Sequence, residues 1–302
     1  MTIVESYAVA VVLCVVTMLC WGSWANTQKL ASKEWRFELF YWDYAIGVVL
    51  FSLLLAFTLG STGTAGRSFL DDLRQADQGM LLSAFIGGVV FNLSNILLVA
   101  AIDIAGMAVA FPVGVGLALV LGVITNYMAS PVGNPVLLFV GVGLVVVAIL
   151  LSAVSYSRLP AQGQRTVGKG IVISVVAVSL KKKFYRFVAA SMSADFVNLE
   201  PGKLGPYTAI VAFSVGLLAS NFVWNTLVML RPFVGEPVPL GDYFSKGTVR
   251  LHLIGMLGGA IWNLGMSLSI IAAGAAGFAI SSGLGQGATL VAALWGVFIW
   301  KE

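Results

Sequence analysis

The longest uncharged stretches of the chain decide what it can fold into. No Asp, Glu, Lys or Arg occurs from residue 104 to residue 157, or from residue 251 to residue 300. A helix needs about 20 apolar residues to cross the hydrocarbon core of a bilayer, and both stretches are much longer. Of the 302 residues, 59% are hydrophobic and 10% are charged, a composition outside the range of soluble globular domains. The sequence therefore predicts an integral, multi-pass membrane protein.

Nine apolar segments are predicted to span the membrane. They are residues 7–24, 41–59, 80–102, 105–127, 135–154, 170–192, 207–230, 251–271 and 275–300. The loops on one side carry Lys29, Lys33, Arg36, Arg158, Arg165, Lys169, Arg231, Lys246, Arg250 and Lys301, whereas those on the other carry only Arg67, Arg74 and Lys203. Cytoplasmic loops are enriched in Lys and Arg. We therefore expect a cell-membrane protein (inner or plasma membrane) with its N-terminus outside.

An internal repeat indicates two related halves. Residues 87–93 (GGVVFNL) open the third predicted span, and residues 258–264 (GGAIWNL) open the eighth. Residues 110–118 match residues 279–287 at a similar shift, close to 170 positions. Because five spans separate the copies, they would cross the membrane in opposite directions, an arrangement typical of secondary transporters that bind substrate between the repeats. The predicted units are a first repeat over 1–157, a basic cytoplasmic linker over 158–169 and a second repeat over 170–302.

Amide side chains mark both copies of the repeat. Asn92 and Asn95 share one helix face, as do Asn263 and Ser267. A polar group without a partner is costly in hydrocarbon, so these faces are expected to point at another helix or at a cavity. Two interpretations stay open for each Asn, a hydrogen bond between helices and a contact with substrate.

Four stretches resemble the drug/metabolite transporter superfamily, and within it the branch of ureide permeases and sugar-uptake proteins (glucose/ribose porters). They are residues 21–24 (WGSW), 41–44 (YWDY), the GGxxxN start at 87–92, and 276–302. The resemblance implies an all-α membrane protein, an inverted-repeat helical bundle of two five-helix halves, here with the last helix missing. It also implies alternating-access transport of a small polar metabolite (a ureide, nucleobase or sugar), coupled to a proton or sodium ion, and a possible homodimer.

The residues expected to bind substrate are polar or aromatic side chains of the spans near the interface between the halves. They are Trp21, Ser23, Trp24, Asn26, Asn92, Asn95, Arg186, Trp224, Asn225, Asn263, Ser267 and Gln286. Aromatic belts at the membrane surface are the other interpretation of the tryptophans. Asp43 is the candidate for proton coupling, and a solvated role at the start of its helix is the alternative.

Charges within the sixth predicted span conflict with a lipid environment. Lys181, Lys182, Lys183 and Arg186 occur there together, and each charge at the bilayer centre costs about 2.5–3.5 kcal/mol on insertion scales. One interpretation places them at the cavity, where Arg186 or Lys182 meets an anionic substrate group. The other is an altered stretch that disrupts the helix or hydrates the cavity.

Other functional classes find little support in the residues. The single histidine, His252, lacks the companions of a metal site and is interpreted as an interfacial residue. No Ser/His, paired-carboxylate or metal constellation indicates an enzyme, and no cofactor or nucleic acid is expected. The alternatives to a metabolite transporter are a non-transporting or degenerate membrane subunit and, with less support, an exporter of lipophilic drugs.

Overall fold

The structure, a computed structural model, describes residues 1–106, 110, 116, 120, 124, 135–157, 161–276 and 278–301. The secondary-structure elements assigned within these residues are all helices. The helices are α1 (Tyr7–Ser23), α2 (Ala25–Ala31), α3 (Phe37–Phe57), α4 (Phe69–Gln75), α5 (Gln78–Ala105), α6 (Pro135–Ser157), α7 (Ala161–Ser191), α8 (Pro206–Leu230), α9 (Gly241–Ser245), α10 (Val249–Ala276), α11 (Phe278–Gly285), α12 (Ala288–Leu294) and a terminal π-helix (Trp295–Trp300).

Six segments of the described residues are long and apolar enough to cross a membrane. They are Tyr7–Ala31, Phe37–Phe57, Gln78–Ala105, Pro206–Leu230, Val249–Ala276 and Gly283–Trp300. These segments coincide with six of the nine predicted spans, and the all-helical membrane class is confirmed. The predicted fourth span, 105–127, lies almost entirely outside the described residues. The predicted fifth and sixth spans correspond to α6 and α7, and α7 begins at Ala161, so most of the predicted linker is helical.

Contacts between loops define the two ends of the bundle. At the first, called here the Asp72 end, the Asp72 carboxylate accepts a hydrogen bond from the Gly205 N–H (2.7 Å), just before α8 begins. At the opposite end, called the Arg36 end, the Arg36 guanidinium donates to the Glu236 carbonyl (2.7 Å), just after α8 finishes. Helices α3 and α10 start at the Arg36 end, whereas α5 and α8 start at the Asp72 end. Among the four central helices, α3 and α10 are therefore parallel to each other and antiparallel to α5 and α8.

Glycines bring two helix pairs into backbone contact. A Cβ added at Gly88 of α5 would lie 2.0 Å from the Phe213 carbonyl oxygen of α8. A Cβ at Gly259 of α10 would lie 2.0 Å from the Tyr44 carbonyl oxygen of α3. Both glycines belong to the repeated GG motif. Small residues of this kind allow membrane helices to approach closely and pack through van der Waals contact.

The partner helices, α8 and α3, each contribute a glycine that makes an equivalent backbone contact. A Cβ at Gly216 of α8 would lie 2.1 Å from the Phe85 carbonyl oxygen, and one at Gly47 of α3 would lie 2.1 Å from the Met256 carbonyl oxygen. The pair α5–α8 and the pair α3–α10 are thus built from matching reciprocal contacts.

Outer helices attach to each pair through interhelical hydrogen bonds. The Thr17 hydroxyl of α1 donates to the Gly265 carbonyl of α10 (3.0 Å). The Ser94 hydroxyl of α5 donates to the Ala177 carbonyl of α7 (2.7 Å). Helix α1 therefore lies against α10, and α7 lies against α5.

Four aromatic rings meet where the central helices converge. Phe91 and Trp262 lie 4.6 Å apart between ring centroids. Phe213 lies 5.3 Å from Phe91 and 6.1 Å from Trp262, and Tyr44 lies 6.4 Å from Trp262. This aromatic quartet contributes one ring from each of α3, α5, α8 and α10 and fills the centre of the bundle.

Candidate functional site

A buried hydrogen-bond network joins three of the central helices around Asn92. The Tyr41 hydroxyl of α3 donates to Asn92 Oδ1 (2.8 Å), and Asn92 Nδ2 donates to Ser220 Oγ of α8 (3.0 Å). Asn95 Nδ2 donates to the Tyr41 hydroxyl (3.1 Å). All four side chains are buried. These residues form the Asn92 network, which contains two of the predicted asparagines, Asn92 and Asn95.

Asn263, the asparagine in the second copy of the repeated motif, lies in a smaller network between α8 and α10. Asn263 Nδ2 donates to Ser214 Oγ (3.4 Å), and the Ser267 hydroxyl donates to Asn263 Oδ1 (3.2 Å). Asn263 and Ser267 have no exposed surface. Both repeated asparagines therefore face protein and not lipid, as their cost in hydrocarbon requires.

Helix α8 carries a further polar face toward the Arg36 end. Asn221, Trp224 and Asn225 share this face because they are three and four residues apart. Asn225 Nδ2 donates to the Glu38 carbonyl of α3 (2.8 Å). Asn221 Nδ2 and Oδ1, Trp224 Nε1 and Asn225 Oδ1 are buried and make no hydrogen bond within the described part of the chain. These three residues form the α8 polar face.

Three of the predicted residues near the end of α1 contact other helices. Trp21 Nε1 donates to the Trp262 carbonyl (3.3 Å). The Ser23 hydroxyl accepts from the indole N–H of Trp295 (2.9 Å), and Asn26 Oδ1 accepts from the indole N–H of Trp300 (2.7 Å). Ser23 and Asn26 thus attach the last helical segment to the bundle.

The remaining predicted residues lie in different surroundings. Trp24 is buried against Tyr44, with ring centroids 5.1 Å apart. Gln286 is half-buried in the two-residue break between α11 and α12. Arg186 is exposed on α7 and takes no part in the hydrogen bonds of the Asn92 network. The side chains of residues 181–183 lie outside the described residues.

Asp43 is fully buried near the Arg36 end, where two polar side chains hold its carboxylate. His252 Nδ1 lies 2.9 Å from Asp43 Oδ1 and 3.0 Å from Oδ2. The Tyr243 hydroxyl of α9 donates to Oδ1 (2.5 Å). Trp35 contacts the His252 ring edge-on, with centroids 5.4 Å apart. We call these four residues the Asp43 cluster.

The Asp43 cluster is partly open to solvent, because Tyr243 and His252 are only half-buried. The His252 side chain retains 23% of its exposure, whereas Asp43 has none. Burial, together with the neighbouring carboxylate, raises the pKa of the Tyr243 hydroxyl. The phenol therefore stays protonated and remains a hydrogen-bond donor to the Asp43 carboxylate.

Several of these residues were not predicted from the sequence. The sequence indicates Tyr41 only as part of the YWDY motif. It gives no separate signal for Ser220 and Asn221, although they stand one turn before Trp224 and Asn225. His252 is interpreted from the sequence as an interfacial residue, whereas in the structure it pairs with Asp43, 209 residues away in the chain. Among the described residues, no group of three or more His, Cys, Asp or Glu side chains could hold a metal ion.

Comparison with known proteins identifies related chains. A family model described as Ureide permease matches residues 40–169. Ureide permease 4 of Arabidopsis thaliana is 23% identical, over 100% of this chain and 92% of the relative. Ureide permease 2 of the same plant is 24% identical, over 100% and 92%. Probable ureide permease A3 of Vigna unguiculata is 26% identical, over 74% and 70%.

The chain is similar to ureide permeases over its whole length. This similarity agrees with the ureide permease part of the resemblance drawn from the sequence motifs. The related proteins are permeases and not enzymes, consistent with the expectation that the chain catalyses no reaction. No solved structure matches the chain significantly.

Proposed function

We propose that this chain is a secondary transporter of a small, uncharged ureide, bound among the central helices. The observation that carries the proposal is the Asn92 network, in which only amides and hydroxyls meet. It lies at the junction of α3, α5 and α8 in a chain similar to ureide permeases. Ureides are built from amide groups, and each amide presents N–H donors beside a carbonyl acceptor. Asparagine and hydroxyl side chains match that pattern without supplying a charge.

Reciprocal packing supports two inverted halves. Two glycine contacts are equivalent under exchange of the proposed halves. Gly88 contacts Phe213 in one helix pair, and Gly259 contacts Tyr44 in the other. The equivalent helices run in opposite directions, since α3 starts at the Arg36 end and α8 at the Asp72 end. In transporters with this arrangement the halves rock around a fixed central site and expose it to each side in turn.

The aromatic quartet lies where the two proposed halves meet. Phe91 and Trp262 occupy equivalent positions of the repeated motif, and Tyr44 and Phe213 occupy equivalent positions of α3 and α8. Rings related in this way sit close to the pseudo-twofold axis. We propose that separation of these rings accompanies alternating access.

The Asp43 cluster is the proposed site of proton coupling. A fully buried carboxylate paired with a histidine can alternate between charged and neutral states at a modest cost. The Arg36 end, which also carries Arg231 and Arg250, is proposed to face the cytoplasm. The N-terminus would then lie outside.

Uptake into proteoliposomes tests the proposed function. The purified protein is reconstituted and supplied with radiolabelled allantoin, a neutral ureide, or with glucose. We expect saturable allantoin uptake, little glucose uptake, and loss of transport in Asn92→Ala and Asn263→Ala. Asn198→Ala provides the control, because Asn198 is an exposed loop residue that bonds only within its own loop.

Proton coupling is tested separately in the same vesicles. Asp43→Asn is expected to abolish the response of uptake to an imposed pH gradient while counterflow of allantoin persists. Folded wild-type protein that takes up no allantoin would contradict the proposed function. Gradient-driven uptake that survives in Asp43→Asn would contradict only the role of the Asp43 cluster.

A further inference from the structure

We infer that Asn221 determines ligand specificity, and that with Trp224 and Asn225 it forms a subsite for the amide edge of the transported molecule. This inference rests on the proposed function and deepens it. Asn221 is fully buried on α8, and neither polar atom of its side chain makes a hydrogen bond in the described part of the chain. The subsite lies beyond the Asn92 network, toward the Arg36 end.

Unpaired polar atoms are concentrated on the α8 polar face. Nine buried side-chain nitrogen or oxygen atoms lack a partner among the described residues, and four of them belong to Asn221, Trp224 and Asn225. Each such atom costs about 1–3 kcal/mol when it is left unsatisfied in a protein interior. A cluster of them within five residues is costly to the folded protein unless something binds there.

The neighbouring contacts fix where the subsite lies. Ser220, the residue before Asn221, accepts a hydrogen bond from Asn92. Asn225, one turn further along α8, donates to the Glu38 carbonyl of α3. Asn221 is therefore located between the Asn92 network and the start of α3. The Glu38 carboxylate is already neutralised by Arg36, 2.7 Å away.

The pseudosymmetric positions indicate that the fold itself does not require these polar groups. The contacts of Tyr44 and Phe213 place Ser52, Leu55 and Ala56 of α3 at the positions equivalent to 221, 224 and 225. Two of the three are apolar, and the Ser52 hydroxyl bonds to the Val49 carbonyl of its own helix. An equivalent helix position thus packs without an amide. The polar face of α8 is an addition to the shared fold.

The unpaired atoms match the edge of an amide. Asn221 offers an N–H donor and a carbonyl acceptor side by side, so it can form two hydrogen bonds with a ligand amide, which carries the complementary pair. Trp224 Nε1 adds a donor, and Asn225 Oδ1 adds an acceptor. A flat, uncharged molecule with repeated N–H and C=O groups satisfies this set, whereas a sugar presents hydroxyls without that alternation.

Buried water is the other possible occupant, and substitution separates the two. Asn221→Leu keeps the branched shape and the number of side-chain heavy atoms and removes both polar atoms. If the amide serves the ligand, Asn221→Leu should be at least as thermally stable as the wild type without ligand. Its affinity for allantoin should be about 10–100-fold weaker, the result of losing two hydrogen bonds. Asn263→Leu is the matched control, since its amide bonds to Ser214 and Ser267 and its loss should lower the melting temperature.

Binding is measured by the ligand-induced rise in melting temperature and by proteoliposome uptake. Asn221→Asp, which keeps the shape but loses the N–H donors, should also lose allantoin binding. Normal allantoin affinity in Asn221→Leu would overturn the inference while leaving the proposed function intact. A melting temperature lowered as much as in Asn263→Leu would assign Asn221 to a water-filled structural network and overturn it too. Failure of the folded wild type to bind any uncharged amide would refute the proposed function itself, and the inference with it.

Discussion

The matched glycine contacts predict that one methyl group at either site separates a pair of central helices. In Gly88→Ala the new Cβ would lie 2.0 Å from the Phe213 carbonyl oxygen, and in Gly259→Ala it would lie 2.0 Å from that of Tyr44. Ordinary van der Waals contact begins at 3.4 Å. The helices must therefore move apart by about 1.4 Å, because a backbone oxygen cannot rotate away as a side chain can.

The expected loss of stability follows from two opposing effects. Overpacking a tightly packed site costs about 1–3 kcal/mol, whereas alanine is favoured over glycine in a helix by about 1 kcal/mol. We expect a net loss of about 1–2 kcal/mol in each variant. The two glycines share no partner, so the losses should add in the double variant.

Gly79 provides a control within α5 itself. A Cβ at Gly79 would meet no atom within 4 Å, so Gly79→Ala gains helix propensity without a clash. Unfolding of the purified protein in detergent, followed by circular dichroism, should rank Gly79→Ala at or above the wild type and both Gly88→Ala and Gly259→Ala below it. Equal stability of Gly88→Ala and Gly79→Ala would refute the packing argument. A loss of stability in only one of these two variants would refute the equivalence of the α5–α8 and α3–α10 contacts.

Four other contacts give three further predictions. Tyr243→Phe removes a hydrogen bond to a buried carboxylate and should cost about 1.5–3 kcal/mol if that group is charged. Because the pKa of Tyr243 is raised, the difference in melting temperature between the wild type and Tyr243→Phe should stay constant from pH 7.5 to 9.5. It should shrink only above that range, as the phenol ionises. A change of this difference between pH 7.5 and 9.5 would contradict the prediction. Thr17→Val and Ser94→Ala each remove one interhelical hydrogen bond. Thermal unfolding should show a similar loss of stability in both variants, about 0.6 kcal/mol. No loss of stability in either variant would contradict the paired arrangement of outer helices. Trp300→Phe frees Asn26 Oδ1 and should increase proteolysis of the last segment in detergent; unchanged cleavage would show that this bond does not secure it.

The sequence predicts the membrane helices well because hydrophobic length alone determines them. Residues 7–24 and 207–230 were predicted as spans, and the helices occupy Tyr7–Ser23 and Pro206–Leu230. The burial of Asn92 and Asn263 could also be predicted, since an amide facing lipid is too costly. Which helix each amide bonds depends on helix rotation and pairing, and these are tertiary properties that hydropathy does not encode.

Other features depend on contacts between distant parts of the chain. Asp43 can pair with His252 because the glycines of α10 allow that helix to lie directly against α3. A Cβ at Gly255 of α10 would lie 2.4 Å from Asp43 Cβ. The sequence shows these residues separately, and a lone histidine at a helix start has no visible partner. The last predicted span, 275–300, is interrupted at residues 286–287 and ends in a π-helix, irregularities that its continuous apolar composition does not reveal.

The distribution of polar groups breaks the symmetry that the packing keeps. Close contacts repeat between the α5–α8 and α3–α10 pairs, down to a glycine in each of the four central helices. The unpaired amides do not repeat, because α8 has Asn221 and Asn225 where α3 has Ser52 and Ala56. Packing must be equivalent in both halves if they exchange conformations during transport, whereas a ligand needs one set of hydrogen-bond partners. An asymmetric ligand is therefore expected to bind off the proposed pseudo-twofold axis, nearer the Arg36 end, with the aromatic quartet between it and the Asp72 end.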